Sequence, residues 1–331
     1  MATIYDVARR AGVSPYTVSS VVNHSARVSV ELTERVMEAV KALDYTANEV
    51  ARSLPTGRTS TVGMLIPDIA NPFYAKVVRG VEDRLQPEGY SLILSSTYNR
   101  IRNESRHLHL FRARQVDGLL LFCSGAEDDI RPLTASGKPV VFLGRLPSTI
   151  EADSVVSDSG LGSRLAVDHL VSNGHRRIAM AMGQLTHSTN ATRVTAWRAA
   201  MRKHGLGAPD AYVGDGDWTA QSGYDIMLGF FDLPQPPTAV FAANFLMMTG
   251  VLRALRERGL RCPRDVEVVS SDDSDWLDVF EPPITTVVTS SYAMGEAAAD
   301  LMLKRMRQPG RKFQTIVIEP ELRVRRPRGE A

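Results

Sequence analysis

From Thr61 onward the chain alternates apolar runs of strand length with amphipathic segments of helical length. V-G-M-L-I-P, S-L-I-L-S-S, D-G-L-L-L-F-C, P-V-V-F-L-G, R-I-A-M-A-M-G, T-A-V-F-A-A-N and V-E-V-V-S-S-D are the clearest runs. A strand buried on both faces reads as a continuous apolar stretch, and parallel neighbours need a crossover between them, usually a helix. The pattern therefore predicts an α/β fold of doubly wound parallel sheets covered by helices on both faces. Roughly ten strands strain a single open sheet, so two subdomains with a cleft between them are expected. Ligands of such folds sit beyond the C-terminal strand ends, where the unusual polar residues of this chain occur.

Residues 1 to 46 follow a different rule and read as three short helices. Thr3 followed by Asp6 is an N-cap signature, and Ile4, Val7, Ala8 and Ala11 repeat at helical spacing until Gly12. Ser14 caps a second helix with Pro15 in its first turn, and Ser29 opens a third with Leu32, Val36, Val40 and Leu43 on its buried stripe. Two short helices joined through Ala11-Gly12-Val13 fit a helix-turn-helix, although a helical cap without a ligand would show the same spacing. Charge does not decide between them. Residues 1–60 hold seven Lys or Arg against six Asp or Glu, and the whole chain carries only +2.

Between these regions lies N-E-V-A-R-S-L-P-T-G-R-T-S, Asn48 to Ser60, whose first seven residues could form two helical turns before Pro55 and Gly57 end them. So short a helix is marginal without a partner, so the segment is a plain linker or one that orders on binding. The expected organisation is a headpiece at 1–47, a hinge at 48–60 and a core at 61–331. Within the core, an N-subdomain takes about 61–160 plus 291–321, and a C-subdomain about 161–290 plus 322–331.

Several function classes are disfavoured. Cys123 and Cys262 lie far apart with no C-x-x-C spacing, so neither a disulfide framework nor a zinc site is expected. His107 and His109 are two apart on a helical pattern and point to different faces, a poor metal pair. No cofactor is expected. The acid cluster Asp272, Asp273 and Asp275 could do acid/base work, but no G-x-S-x-G, Walker A, H-E-x-x-H or G-x-G-x-x-G accompanies it, so no enzyme activity is expected. The N-terminus lacks a signal-peptide pattern and no apolar run approaches ~18 residues, which points to the cytoplasm and away from an exported solute receptor.

Thr3 to Asn23, T-I-Y-D-V-A-R-R-A-G-V-S-P-Y-T-V-S-S-V-V-N, resembles the headpiece of the lac repressor (LacI) family of bacterial transcription regulators. A-R-S-L at Ala51 to Leu54, N-P-F-Y at Asn71 to Tyr74, V-D-G-L-L-L, G-H-R-R-I-A, P-T-A-V-F-A-A-N and P-P-I-T-T-V follow in family order, so the resemblance spans essentially the whole chain. It implies a homodimeric, sequence-specific repressor of a palindromic operator, controlled by a small molecule, a sugar or sugar derivative, in the core cleft. An effector-dependent activator or a corepressor-type regulator is the alternative.

The resemblance also assigns residues. Tyr5, Thr17, Ser19, Asn23 and Ser29 match phosphate-positioning sites, with Thr3 and Ser14 at the helix starts beside them. Pro15, Tyr16 and Ser20 match positions that meet base edges. Ser20 stands where relatives carry Arg in T-V-S-R and removes a bidentate fork onto guanine. His24 and Arg27 are candidates to restore positive charge. In the hinge, Asn48, Ala51 and Leu54 fall in the DNA-contacting set, Leu54 as a minor-groove wedge, while Pro55 replaces a common basic residue. Asp68, Phe73, Asp158, Arg193, Trp218, Asn244, Asp272 and Trp276 match effector positions: carboxylates, an amide and a guanidinium suit vicinal hydroxyls, and indole faces suit a sugar ring. Ala196, Phe245, Met248 and Ser270 depart from the family pattern, so the effector's identity does not carry over from well-known members.

Overall fold

A computed structural model describes residues 2–22, 27–45, 58–123 and 125–325. The chain divides into two compact units, Met1–Thr59 and Ser60–Ala331.

The first unit holds helices α1 (Ile4–Ala11), α2 (Pro15–Val22) and α3 (Val30–Ala42). Thr3 and Asp6 form a reciprocal capping box: the Asp6 amide donates to Thr3 Oγ1 at 3.4 Å and the Thr3 amide donates to Asp6 Oδ2 at 3.0 Å. The hydrogen bond from Thr3 holds the Asp6 carboxyl below its usual range. Gly12 ends α1 in the left-handed region at φ 64°, where a Cβ would also meet Arg35 Nη2 at 2.9 Å. Ser14 Oγ accepts from the Thr17 amide and Ser29 Oγ from the Leu32 amide, so each helix opens on a hydroxyl cap. The core is Val7, Ala8, Ala11, Val18, Val21, Val36 and Ala39, all small side chains.

The second unit contains twelve described strands: β1 (Thr61–Ile66), β2 (Ser91–Ser96), β3 (Gly118–Leu121), β4 (Val140–Leu143), β5 (Asp153–Ser157), β6 (Ile178–Met182), β7 (Val213–Asp215), β8 (Ala239–Ala242), β9 (Glu267–Ser270), β10 (Thr285–Val288), β11 (Thr315–Ile318) and β12 (Glu321–Arg323). They build two six-stranded sheets, ordered β11-β5-β4-β3-β1-β2 and β12-β10-β9-β8-β6-β7. Every pairing is parallel except β10 with β12.

Helices α4 (Pro72–Leu85), α5 (Ile101–Ala113), α6 (Glu127–Ala135) and α11 (Ser291–Arg307) belong to the first lobe, and α7 (Ser159–Ser172), α8 (Ser188–Lys203), α9 (Ala220–Phe231) and α10 (Phe245–Glu257) to the second. The first sheet is buried between two apolar clusters, one including α4 and α11 and the other α5 and α6. Gly80 and Gly295 let α4 and α11 touch backbone to backbone; a Cβ at Gly295 would lie 2.1 Å from the Val77 carbonyl oxygen. The second lobe buries Trp197, Phe241, Met180 and Met201 in one continuous core. No described helix is long and apolar enough to cross a membrane.

Candidate DNA interface and effector cleft

Helix α2 carries no acidic or basic residue. Its valines Val18 and Val21 face α1 and α3, which turns Tyr16 outward with 76% of its surface exposed. Ser14 and Thr17 hydroxyls lie 3.0 Å apart at the start of the helix, and Tyr5 of α1 is 68% exposed. Thr3, Ser29 and Arg27 are exposed, while Pro15 and Ser19 are half-buried. These positions offer hydroxyls and aromatic edges of the kind that position a helix on phosphates without net charge. Ser20 requires a correction. It was expected to meet base edges, but only 2% of its surface is exposed, and a hydroxyl so enclosed meets no base edge in this arrangement. Asn23, His24, Asn48, Ala51, Leu54 and Pro55 lie outside the described residues.

The second site is a cleft between the two sheets of the core, a cavity of about 140 Å³ at the C-terminal strand ends. Parallel order in both sheets aims those ends at the same space. The lobes also meet across it: Asn71 Nδ2 donates to Asp272 Oδ2 at 3.4 Å, Thr189 Oγ1 to the Gly144 carbonyl at 3.3 Å, and Lys76 Nζ to Asp275 Oδ1 at 2.7 Å.

The first lobe contributes an aromatic wall. Asn71 caps α4 by accepting from the Phe73 amide at 3.0 Å, and Pro72 opens the first turn, which sets the entry of Phe73 and Tyr74. These two rings and Phe122, just after β3, meet edge to face with centroids 5.0 to 6.3 Å apart. Burial, reinforced by the Asp272 charge, pushes the Tyr74 hydroxyl above its usual range, so it stays protonated and can donate. Arg145 follows β4 in the same wall.

The second lobe contributes a polar wall. Arg193 on α8 donates to the Ala243 carbonyl at 3.2 Å and to Ser271 Oγ at 3.0 Å. Burial lowers its pKa and raises that of Asp272, and each opposes the shift in the other through its charge. Asp272 also accepts from the Phe245 amide at 3.4 Å. Trp218 sits at φ 73°, costly for a bulky residue, with its ring against Gly183, where a Cβ would come within 2.2 Å. Its Nε1 is buried with no hydrogen-bond partner among the described residues. His187 meets it edge-on at 6.1 Å. Burial first, and Arg145 second, lower the His187 pKa, which keeps the imidazole neutral near pH 7.

Of the expected effector residues, Phe73, Asp158, Arg193, Trp218, Asn244 and Asp272 line the cleft. Asn244 does so with its amide committed: Oδ1 caps α10 by accepting from Met247 at 2.7 Å, and Nδ2 donates to the Trp218 carbonyl at 3.1 Å, bracing the strained residue. Asp158 caps α7, accepting from the Leu161 amide at 2.7 Å. Two expectations are corrected. Asp68 is not in the wall; its carboxylate accepts from the Ala70 amide at 2.9 Å within the turn before α4. Trp276 is 72% exposed on the 3-10 turn Asp275–Asp278 and does not line the cleft. Neighbouring Asp273 is bound by Arg323 and Arg325, each at 2.8 Å, which ties the start of that segment to the end of β12. Asn71, Tyr74, Phe122, Arg145 and His187 also line the cleft, although none of them was among the expected effector residues.

Comparison with known proteins gives two family matches: residues 3–48 to the lacI family of bacterial regulatory proteins, and residues 167–326 to a periplasmic binding protein-like domain. The chain is 38% identical over 327 residues to the ribose operon repressor of Escherichia coli K12, covering 98% of this chain and 99% of that protein. It is 35% identical over 328 residues to the transcriptional repressor PurR of Mannheimia succiniciproducens, covering 98% of each. Among solved structures, a complex of the transcriptional regulator CelR with cellobiose matches with a TM-score of 0.73 at 34% identity, over 98% of this chain and 99% of that one. The lac repressor dimer bound to operator and an anti-inducer matches with a TM-score of 0.84 at 29% identity, over 97% of both chains.

Proposed function

The chain belongs to the lacI family of bacterial regulatory proteins, and from that premise we propose that its cleft takes a single sugar ring while α2 lies on operator DNA. The protein is a DNA-binding transcription repressor controlled by a small-molecule effector. Its two ends therefore have separate chemistry to perform.

One observation carries the ligand class: an indole whose N–H has no partner among the described residues lines the same cleft as Arg193, Ser271 and Asp272. An aromatic face packs against the C–H surface of a sugar ring, while guanidinium and carboxylate donate to and accept from its hydroxyls. A cavity near 140 Å³ suits one small ring, since an apolar cavity of about 150 Å³ takes benzene. Relatives include the ribose operon repressor and a family member solved with ribose bound, which supports a monosaccharide.

In the headpiece, Tyr16 and the hydroxyls of Ser14 and Thr17 meet DNA, with Tyr5, Thr3, Pro15, Ser19, Ser29 and Arg27 around them. Asn23, His24, Asn48, Ala51 and Leu54 complete the interface by family position, with Leu54 as wedge. A homodimer on a palindrome doubles the few base pairs that one helix reads. Such a regulator works in the cytoplasm and performs no catalysis, for Asp273 is consumed by Arg323 and Arg325 and Asp272 faces Arg193.

Closure of the lobes around the ligand shifts the population between DNA-binding and non-binding states, with a coupling of ~1 to 3 kcal/mol, or ~5- to 150-fold in operator affinity. The test is a thermal-shift screen of free pentoses and hexoses on the full chain, followed by gel shifts with and without each hit. A sugar should raise Tm and change operator affinity. Stabilisation by planar heterocycles alone, which an aromatic slot also accommodates, would overturn the sugar reading.

A further inference from the structure

Arg145 is the one cleft-lining cation that makes no hydrogen bond among the described residues. Its Nε and Nη2 are buried without a partner, the side chain is 17% exposed, and the residue lines the cavity. A buried guanidinium with unmet N–H groups is costly, and native structures meet such groups with water or a ligand.

The carboxylates behind it do not meet that need. Glu127 lies 3.9 Å from Nη2, too long for a hydrogen bond, and its oxygens are occupied by the amides and hydroxyls of Ser148 and Thr149 at 2.7 to 3.2 Å. Glu104 is fully buried and accepts from the Gly125 and Ala126 amides at 3.2 and 3.1 Å and from the Cys123 thiol. Glu127 faces Arg145 as a charge without sharing its protons. Every guanidinium around the cleft faces such a charge: Arg145 has Glu127, Arg193 has Asp272, and Arg164 has Asp158 at 3.8 Å. A net anion entering the cavity would find no uncompensated positive charge, whereas a neutral group rich in acceptor oxygens would meet free N–H donors.

We propose that Arg145 is a specificity-determining residue whose guanidinium donates to hydroxyl or ring oxygens of an uncharged sugar, and that the surrounding carboxylates exclude the phosphorylated or oxidised form of that sugar. The proposal rests on the sugar reading of the cleft and adds to it the charge state of the ligand and the residue that reads it. Neutral His187, also in the cavity lining, suits the same uncharged ligand.

The experiment is calorimetric titration of the full chain with D-ribose, D-xylose, D-glucose and D-galactose, each beside its phosphate monoester, its aldonate and its monodeoxy analogues. For the free sugar that binds, the phosphate and the aldonate should each bind at least tenfold more weakly. Arg145→Met should weaken the free sugar at least tenfold, Arg145→Lys less so. One deoxy position should cost the wild type at least tenfold and cost Arg145→Met nothing further, a coupling that a merely structural role would not produce. Ligand-free Tm checks that the variant folds, because Ser148 and Thr149 still satisfy Glu127. Tighter binding of a phosphate or an aldonate overturns the charge assignment, and unchanged deoxy discrimination in Arg145→Met overturns the role of Arg145. Both outcomes leave the sugar reading standing; failure of every free sugar to bind the wild type would remove that reading and this one together.

Discussion

The two lobes of the core share one strand order yet make opposite walls. Read outward from their second strands, β2-β1-β3-β4-β5-β11 and β7-β6-β8-β9-β10-β12 are the same sequence of neighbours. They differ at the last strand: β11 runs parallel to β5, but β12 runs antiparallel to β10. The reason is connectivity. β11 ends at the cleft, and only Glu319 and Pro320 separate it from β12, so the chain enters the second lobe from the cleft side and must run away from it. The same topology then carries different chemistry, with three packed aromatic rings on one wall and, on the other, Arg193 hydrogen-bonded to Ser271 and facing the Asp272 charge. The division teaches that the second lobe orients the ligand through hydrogen bonds, while the first supplies apolar surface and the Arg145 donor.

The sharpest way to break the contrast is to remove the polar wall. Arg193→Ala should abolish the effector-induced thermal shift, a loss above ~100-fold in affinity, and should lower ligand-free stability because Asp272 loses the positive charge that opposes its burial. Adding Asp272→Asn should recover part of that stability and none of the binding. Denaturant midpoints and calorimetry separate the two effects, and equal stability of the single and double variants would show that Asp272 does not depend on Arg193.

Removing the apolar wall should give the reverse balance. Phe122→Ala, at a site 7% exposed between Phe73 and Tyr74, should cost ~3 kcal/mol in stability, with affinity falling only about tenfold. If its affinity loss matched that of Arg193→Ala, the division of labour would fail. Trp218 lies between these cases. Trp218→Gly gives up the indole but relieves the φ of 73°, so binding should fall about tenfold with stability changed by ~1 kcal/mol or less.

The lobes also compare as acid sensors. Burial pushes the Glu127 carboxyl up, but donors from Ser148 and Thr149 prevail and bring it to about 2; Glu267 is likewise raised by burial and brought to about 2 by His169, His175 and Asn173. Each folded-state value lies below the unfolded value near 4.5. Their stabilisation is therefore fully present above that pH and is lost as pH falls from 4.5 toward 2. Glu127→Gln and Glu267→Gln should each lower Tm at neutral pH and flatten its fall in that window. A wild-type slope in either variant would show that its carboxylate does not drive acid unfolding.

How much of this the sequence disclosed follows from what each wall is made of. Asn244 and Asp272 stood out as polar residues just past apolar runs, and Arg193 and Trp218 through the family resemblance. Tyr74 and Phe122 did not, because an aromatic beside a strand reads as core, and Arg145 in G-R-L-P reads as an ordinary loop charge. The seven long apolar runs carried the fold, whereas β7 and β12 are three-residue edge strands, V-G-D and E-L-R, without enough period to register. Trp276 was misplaced because its spacing from Asp272 says nothing of Arg323 and Arg325, some fifty residues later in the chain, which hold Asp273. Ser20 was misplaced because a hydroxyl on a short helix carries no sign of what encloses it.

The smallest effect belongs to the headpiece, and it tests whether the headpiece is held together differently from the lobes. Among the described residues its fully buried apolar side chains are all valine or alanine, against Trp197, Phe241 and Phe142 in the lobes. With so little area buried per side chain, caps carry a larger share of its stability. Thr3→Ala removes the Oγ1 acceptor for the Asp6 amide and the donor to its carboxylate, and should cost ~1 kcal/mol. Hydrogen exchange of α1 amides should register that change with the α7 and α8 amides unaffected. Equal acceleration in both places would mean that the two units unfold together, and the headpiece could not be treated as separately stabilised.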